Sequence, residues 1–273
     1  MMFKNKAKIA GVAVVVLAGL GLYLKTTEAH EATLKIMTSP NPHADILRFV
    51  EHHFKDAPRM DIIEITGQMD PNQPLASGDI DANYFEHVPF LQEDQKHIST
   101  PLKVVATVHL EPLGLYSSRY HSVKTIPDGA KIGVPNNATN LARALLLLQA
   151  NGLLQLKKGV NYMSITQNDI ISNPHHYKIV PTDAALLARA LPDFGAAIIN
   201  GNFALEAGLN PARDSLLLEK AKDNPYANVL VVRANEVNDP RIKRLAEELS
   251  SPAVARYIQQ TYKGAVIPVH ATQ

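Results

Sequence analysis

The 273-residue chain contains no cysteine and no tryptophan. Without a thiol it forms no disulfide, thiolate metal site or cysteine nucleophile, and thiol usage gives no clue to its compartment. Excess charge of either sign is also missing: 27 Lys and Arg against 26 Asp and Glu leave a formal net charge of +1. No basic cluster is interleaved with aromatics, so nothing suits a phosphate backbone, and nucleic acid is not an expected partner. The strings HExxH, GxSxG, GxGxxG and GxxxxGK[ST] do not occur, so zinc proteolysis, covalent hydrolysis, dinucleotide and P-loop chemistry lack their local signatures. Eleven histidines invite a metal reading. However, His52-His53 and His175-His176 are adjacent pairs, and helical neighbours do not share a face. Neither an enzyme nor a cofactor is expected.

Apolar residues at 46% and charged residues at 19% are ordinary globular usage. The length suits two lobes of roughly 100 to 150 residues each after the first 30 or so. Those first residues have their own character. Lys4, Lys6 and Lys8 precede an uncharged run from Ile9 to Leu24, the layout of an export signal. As a helix the run measures about 24 Å against a hydrocarbon core of about 30 Å, so spanning requires Lys8 and Lys25 to snorkel. Thr27-Glu28-Ala29 offers small residues at −3 and −1 for cleavage after Ala29. Residues 1–32 are therefore expected to be either a cleaved export signal or a retained anchor on the periplasmic side of the inner membrane.

The body alternates β-rich runs with helical patterns, as an α/β fold requires. Strands are predicted at Thr33 to Met37, Asp61 to Thr66, Leu102 to His109, Lys131 to Val134, Lys178 to Val180, Gly195 to Ile199 and Asn228 to Val232. Helical stripes are formed by Ala44, Leu47, Val50 and Phe54, by Ala142, Leu145, Leu146 and Gln149, and by Ile242, Leu245, Ala246 and Leu249. Gly152 ends the second of these, and Pro252 starts a further helix that Tyr257 and Ile258 help to pack. Polar stretches at Ser117 to Pro127 and Asp223 to Ala227 suggest crossings between lobes. Residues 33–116 plus 229–273 are expected to form lobe 1, and 117–228 lobe 2.

Five clusters can carry binding chemistry. Gly78 to His87 is a strand-like run ending in Tyr84, Phe85 and His87, and ring edges make good contacts with thioether sulfur. Val108 to Tyr116 holds His109 and Glu111 at a second strand end. Pro135 to Arg143 runs from a strand through capping residues into a helix. That helix start offers free N–H groups, and Arg143 adds a fork that fits a carboxylate, although a solvated helix face is the plain alternative. Asn200 and Asn228 stand beside strands, where an amide can serve a zwitterion or simply a turn. A metal-binding role would draw on His87 and His109.

Taken together and in this order, the clusters resemble the NlpA/MetQ family of methionine-binding ABC-transporter lipoproteins, over about Thr33 to Pro268. The strings that carry the resemblance are GDIDANYFEHVPFL (Gly78 to Leu91), HLEPLGLYS (His109 to Ser117), PNNATNLARALLLLQ (Pro135 to Gln149), INGNFALEAGLNPARD (Ile199 to Asp214) and NPYANVLVVR (Asn224 to Arg233). The resemblance implies an α/β, two-lobed type II periplasmic-binding-protein fold with ligand in the cleft between lobes. By motif it implies ligand-binding roles for Phe85 and His87 (NxFxH), with Tyr84 as an added wall, and for His109, Asn140 and Arg143 (TNxxR), Asn200 and Asn228. The implied ligand is methionine, L- and possibly D-. A methionyl dipeptide, another small apolar amino acid, or a metal-binding or adhesin-like surface role stand as alternatives. Implied partners are a membrane permease and, through it, an ATPase. Departures are Asn137-Ala138 where the family carries Asp-Pro, Glu111 where apolar or aromatic residues are common, and Leu20 where a lipidated cysteine follows Leu-Ala-Gly. The last change rules out a thioether-linked lipid on this sequence.

Overall fold

The computed structural model describes residues 33–65 and 70–270. The apolar run Ile9 to Leu24 and Thr66, the end of one predicted strand, lie outside them. Among the described residues no helix is long and apolar enough to cross a membrane.

Two sheets organise the chain. The first has the order β13-β4-β12-β3-β1-β2 and the second β11-β5-β10-β6-β9. In the first sheet β1 (Leu34–Thr38) runs parallel to β2 (Met60–Glu64) and β3 (Ala82–His87). There β12 (Ala227–Arg233) inserts antiparallel between β3 and β4 (Leu102–Leu110), and β13 (Ile267–Pro268) closes the edge. In the second, β6 (Lys131–Pro135) is parallel to β9 (Lys178–Thr182) and β10 (Ala196–Ile199), while β5 (Gly114–Tyr116) is antiparallel to β10 and to β11 (Leu217–Leu218). A separate ribbon pairs β7 (Gln155–Leu156) with β8 (Ile170–Ser172).

The apolar runs that the sequence shows at 228–232 and 195–199 are explained by burial on both faces. In β12, Leu230 and Val232 enter a core shared with helices α1 (Asp45–His53), α7 (Pro240–Leu249) and α8 (Pro252–Tyr262), whereas Val229 and Val231 enter the core on the other face with Leu75 and Leu91. These follow the period-two alternation of a strand. In β10, Ala196 and Ile198 face α4 (Ala138–Ala150), and Ala197 and Ile199 face Phe194 and Leu187. Each buried Leu or Ile contributes about 1.5–3 kcal/mol through removal from water.

Helix ends follow the sequence signals in part. Ser251 caps α8 at Val254 N–H with Pro252 in the first turn, and Gly152 at φ 74° follows α4. Of the four residues read on α4, Ala142 and Leu145 are buried, Leu146 is half-buried and Gln149 is exposed, whereas Leu141, Ala144, Leu147 and Leu148 are buried instead. Phe54 lies past the end of α1, in extended backbone.

The first crossing between sheets differs in position from the sequence reading. Residues 114–116, expected in lobe 1, pair within the second sheet as β5, so the chain changes sheet at Glu111-Pro112-Leu113. The polar stretch after 117 is a turn held by Ser117, whose hydroxyl donates to Gly195 O and accepts from Tyr120 N–H. Its polarity reflects exposure rather than a sheet change. The return crossing falls at 219–226, between β11 and β12.

Candidate ligand-binding site

A cavity of about 170 Å³ opens where strand ends of the two sheets face each other. An apolar protein cavity of about 150 Å³ takes one benzene molecule, so this space fits a small organic ligand. The residues arrive by different routes. From the first sheet, Phe85 and His87 end β3 and Asn228 begins β12; from the second, Asn137, Asn140 and Arg143 begin α4 and Asn200 leads into α5 (Gly201–Glu206). A crevice at strand ends is the ordinary ligand position in α/β folds.

The β3–β12 register explains how neighbouring aromatics separate. Val229 pairs with Glu86 and Leu230 with Tyr84, so Phe85 is the extra residue of a bulge. Bulges re-aim side chains. Here Tyr84 joins the core with no exposure, whereas Phe85 and His87 line the cavity. The bulge also puts Glu86 beside Asn83: both engage Asn72, Asn72 Nδ2 donating to Glu86 Oε2 at 3.1 Å and Asn83 Nδ2 to Asn72 Oδ1 at 2.7 Å.

His87 joins the two sheets. Its Nδ1 accepts from Phe90 N–H at 3.1 Å, which leaves Nε2–H to donate to Asn140 Oδ1 at 3.1 Å. Burial, with Arg143 nearby, lowers its pKa to about 3 and keeps the ring neutral. Asn140 Oδ1 also accepts from Asn200 Nδ2 at 3.2 Å, which fixes both amides. Asn200 Oδ1 remains buried without a partner, an acceptor on a residue that lines the cavity.

Arg143, 3% exposed, is held from three sides. Nε and Nη2 donate to the Glu219 carboxylate at 2.9 and 2.5 Å, Nη2 also donates to Glu111 O at 2.9 Å, and the guanidinium carbon lies 4.4 Å from the Tyr226 ring centroid. Burial raises the Glu219 pKa, but the charge and hydrogen bonds of Arg143 outweigh it and the net shift is downward. These contacts leave Nη1 of a cavity-lining guanidinium for an incoming carboxylate.

Glu111, which lines the cavity, anchors a network that runs back from its wall. His109 Nδ1 accepts from the Tyr84 hydroxyl at 2.5 Å, so its Nε2–H donates to Glu111 Oε1 at 2.8 Å. His43 Nε2–H is shared between Asn228 Oδ1 at 2.9 Å and Glu111 Oε1 at 3.2 Å. Burial lowers the pKa of His43 to about 4 and of His109 to about 3, and raises that of Glu111 against the pull of His43, Arg143 and the Asn202 N–H. The ligand atoms of His43, His109 and Glu111 lie within 4.8 Å of one another. Two imidazoles and a carboxylate are a donor set that suits zinc. Yet Glu111 Oε1 itself occupies the point on which both N–H groups converge, and Gly201 packs so closely that a Cβ there would stand 2.7 Å from the Glu111 Cβ. Glu111 Oε1 thus serves as the acceptor for both imidazoles, while His43 Nδ1 stays buried without a partner.

Six of the sequence-predicted residues meet at the cavity: Phe85, His87, Asn140, Arg143, Asn200 and Asn228. Tyr84 and His109 do not. Both have no exposed surface and stand one layer behind, bonded to each other. His87 and His109, the pair a metal role would use, belong to separate networks. The sequence reading missed Phe90 and Phe203 on the wall, and the supports His43, Glu219 and Tyr226. Glu219 carries no local signal, since its partner lies 76 residues away. Phe90 had one: it falls three residues after His87 on the helix that His87 caps.

Two α/β sheets with a small polar cleft between their strand ends define a binding protein of the two-lobed type. The NlpA lipoprotein family matches residues 34–270, and the chain belongs to that family. It is 36% identical over 247 residues to the methionine-binding lipoprotein MetQ of Bacillus subtilis, covering 89% of this chain and 90% of the relative. Outer membrane lipoprotein 2 of Mannheimia haemolytica is 36% identical over 240 residues, covering 87% and 86%. Among solved structures, a nutrient binding protein from Burkholderia cenocepacia bound to methionine superposes with a TM-score of 0.83 at 37% identity, covering 87% of this chain and all of that one. An ABC transporter periplasmic substrate-binding protein from Coxiella burnetii gives 0.82 at 37% identity and the same coverage.

Proposed function

We propose that this protein is the substrate-binding component of an ABC importer and captures methionine between its lobes, and that it performs no catalysis of its own. The observation that carries the reading is the pairing of opposite polarities in one small cavity. Arg143 offers a guanidinium edge, Asn200 an unpartnered acceptor, and Phe85, Phe90 and Phe203 an aromatic wall. An α-carboxylate suits the first, an α-ammonium the second and a thioether the third. The methionine named for the Bacillus and Burkholderia relatives fits that chemistry. Thermal unfolding tests it: at L-methionine near 100 times its Kd, stability is expected to rise by about 2.7 kcal/mol. No shift with L-methionine, D-methionine or Gly-Met would remove the ligand reading.

The lobes we infer comprise roughly residues 33–110 with 227–273, and 114–218. Delivery requires a permease and its ATPase, with the protein held near them on the periplasmic side. Tethering would raise the effective concentration at the permease, and the run Ile9 to Leu24 is the segment available for it. Osmotic-shock fractionation with N-terminal sequencing separates the outcomes: a membrane-bound product keeping residues 1–32 supports an anchor, and a soluble one starting at His30 supports release.

A further inference from the structure

The Glu111 carboxylate has no ionised partner at the cavity. Arg143 is neutralised by Glu219 through two hydrogen bonds, and His43, His87 and His109 are held neutral by burial. Glu111 lines the same cavity and is 5% exposed, with no cationic partner on its carboxylate. Oε1 accepts from two imidazoles, and the Asn202 N–H approaches from the start of α5. A carboxylate has about four acceptor positions, so one remains. Burial raises the pKa of this carboxyl, and a cation placed against it would favour the ionised form.

Position adds a second constraint. Arg143 Nη2 donates to the backbone carbonyl of Glu111 itself at 2.9 Å. The carboxylate that wants a cation therefore lies only one side chain's length from the guanidinium that takes an anion. Asn200, with its unpartnered oxygen, is tied to Asn140, one helical turn before Arg143. Both poles of the ligand must then lie close together. An α-amino acid has ammonium and carboxylate on one carbon, whereas a dipeptide separates them by a further residue, roughly 3.5 Å of chain.

Resting on the methionine reading above, we propose that Glu111 is the specificity-determining partner of the ligand's α-ammonium, and that its closeness to Arg143 confines the site to free α-amino acids, excluding dipeptides and N-acylated ligands. The carboxylate touches the first sheet through His43 and His109 and the second through Asn202, so ligand charge is read where the lobes meet.

Calorimetry on the full chain tests this with four ligands: L-methionine, its deamino analogue 4-(methylthio)butanoate, N-acetyl-L-methionine and Gly-L-Met. The parent protein is expected to bind methionine about 10- to 100-fold more tightly than each of the others, the range of a charge-assisted hydrogen bond. In Glu111→Gln, methionine is expected to weaken by a similar factor while the deamino analogue keeps its affinity; Glu111→Asp should recover part of the loss. The parent's ligand series stands even if a variant fails to fold. Gly-Met or N-acetylmethionine binding the parent as tightly as methionine overturns the proposal, and so does methionine binding Glu111→Gln unchanged. No binding of any of the four by the parent overturns the methionine reading and this proposal together.

Discussion

Arg143 on α4 and Glu219 in the return crossing meet through two hydrogen bonds, Nε to Oε1 at 2.9 Å and Nη2 to Oε2 at 2.5 Å. Lysine would keep the charge but lose the fork and the stacking on Tyr226. Arg143→Lys is expected to weaken methionine on the order of 10-fold and Arg143→Ala more. Because Arg143→Ala also leaves Glu219 buried without its partner, it should cost about 3–5 kcal/mol of stability. Equal affinities for parent and both variants would return Arg143 to a structural role.

Acid is expected to destabilise the protein through its buried histidines. The pKa of His87 is lowered from 6.5 to about 3 in the folded state. Between those values the unfolded chain binds a proton that the folded chain refuses. Its contribution is therefore complete above pH 6.5 and lost as pH falls toward 3, by up to about 1.4 kcal/mol per pH unit. In His87→Gln, denaturant unfolding at pH 7.5 and 5.0 should show a loss on acidification smaller by about 2 kcal/mol than in the parent. Equal losses would mean that His87 charges freely in the folded protein.

Glu86 should show the opposite sign. Burial pushes its pKa well above the 4.5 of a free glutamate, against the hydrogen bond from Asn72, and Oε1 has no partner. The folded state holds a proton that the unfolded chain releases, so this group's stabilisation is present below pH 4.5 and fades as pH rises through the folded pKa. Glu86→Gln is expected to match the parent near pH 5 and exceed it at pH 8. A variant less stable than the parent at pH 8 would contradict this.

Gly201 is required by Glu111. A Cβ there would come 2.7 Å from the Glu111 Cβ and 3.1 Å from Oε2, closer than side chains tolerate. Gly201→Ala is expected to cost about 1–3 kcal/mol and to weaken methionine by pushing the carboxylate aside. Stability and affinity both at parent values would mean that the Glu111 side chain moves aside without cost.

Much of the fold was legible because burial on both faces writes uninterrupted apolar runs, as in Val229 to Val232 and Ala196 to Ile199. Six cavity residues were legible for a different reason: strand ends and helix starts are where an α/β fold brings Phe85, His87, Asn140, Arg143, Asn200 and Asn228 together. Tyr84 was misplaced because adjacent aromatics look equivalent in sequence, and only the bulge opposite Val229 and Leu230 separates them. The early crossing was missed because Pro112 changes the sheet within three residues, too few to shift composition. Glu219 and His43 could not be paired with Arg143 and Glu111 from spacing, since those contacts depend on closure of the whole chain.

Methionine is expected to lie between the two sheets with its thioether against the aromatic wall. Crystals of the protein, its own methionines unlabelled, grown with L-selenomethionine would locate that end of the ligand through the anomalous signal of selenium. One strong peak is expected beside Phe85, Phe90 and Phe203, with ligand density reaching Arg143 and Glu111. A peak elsewhere, or none in the cleft at saturating ligand, would contradict it.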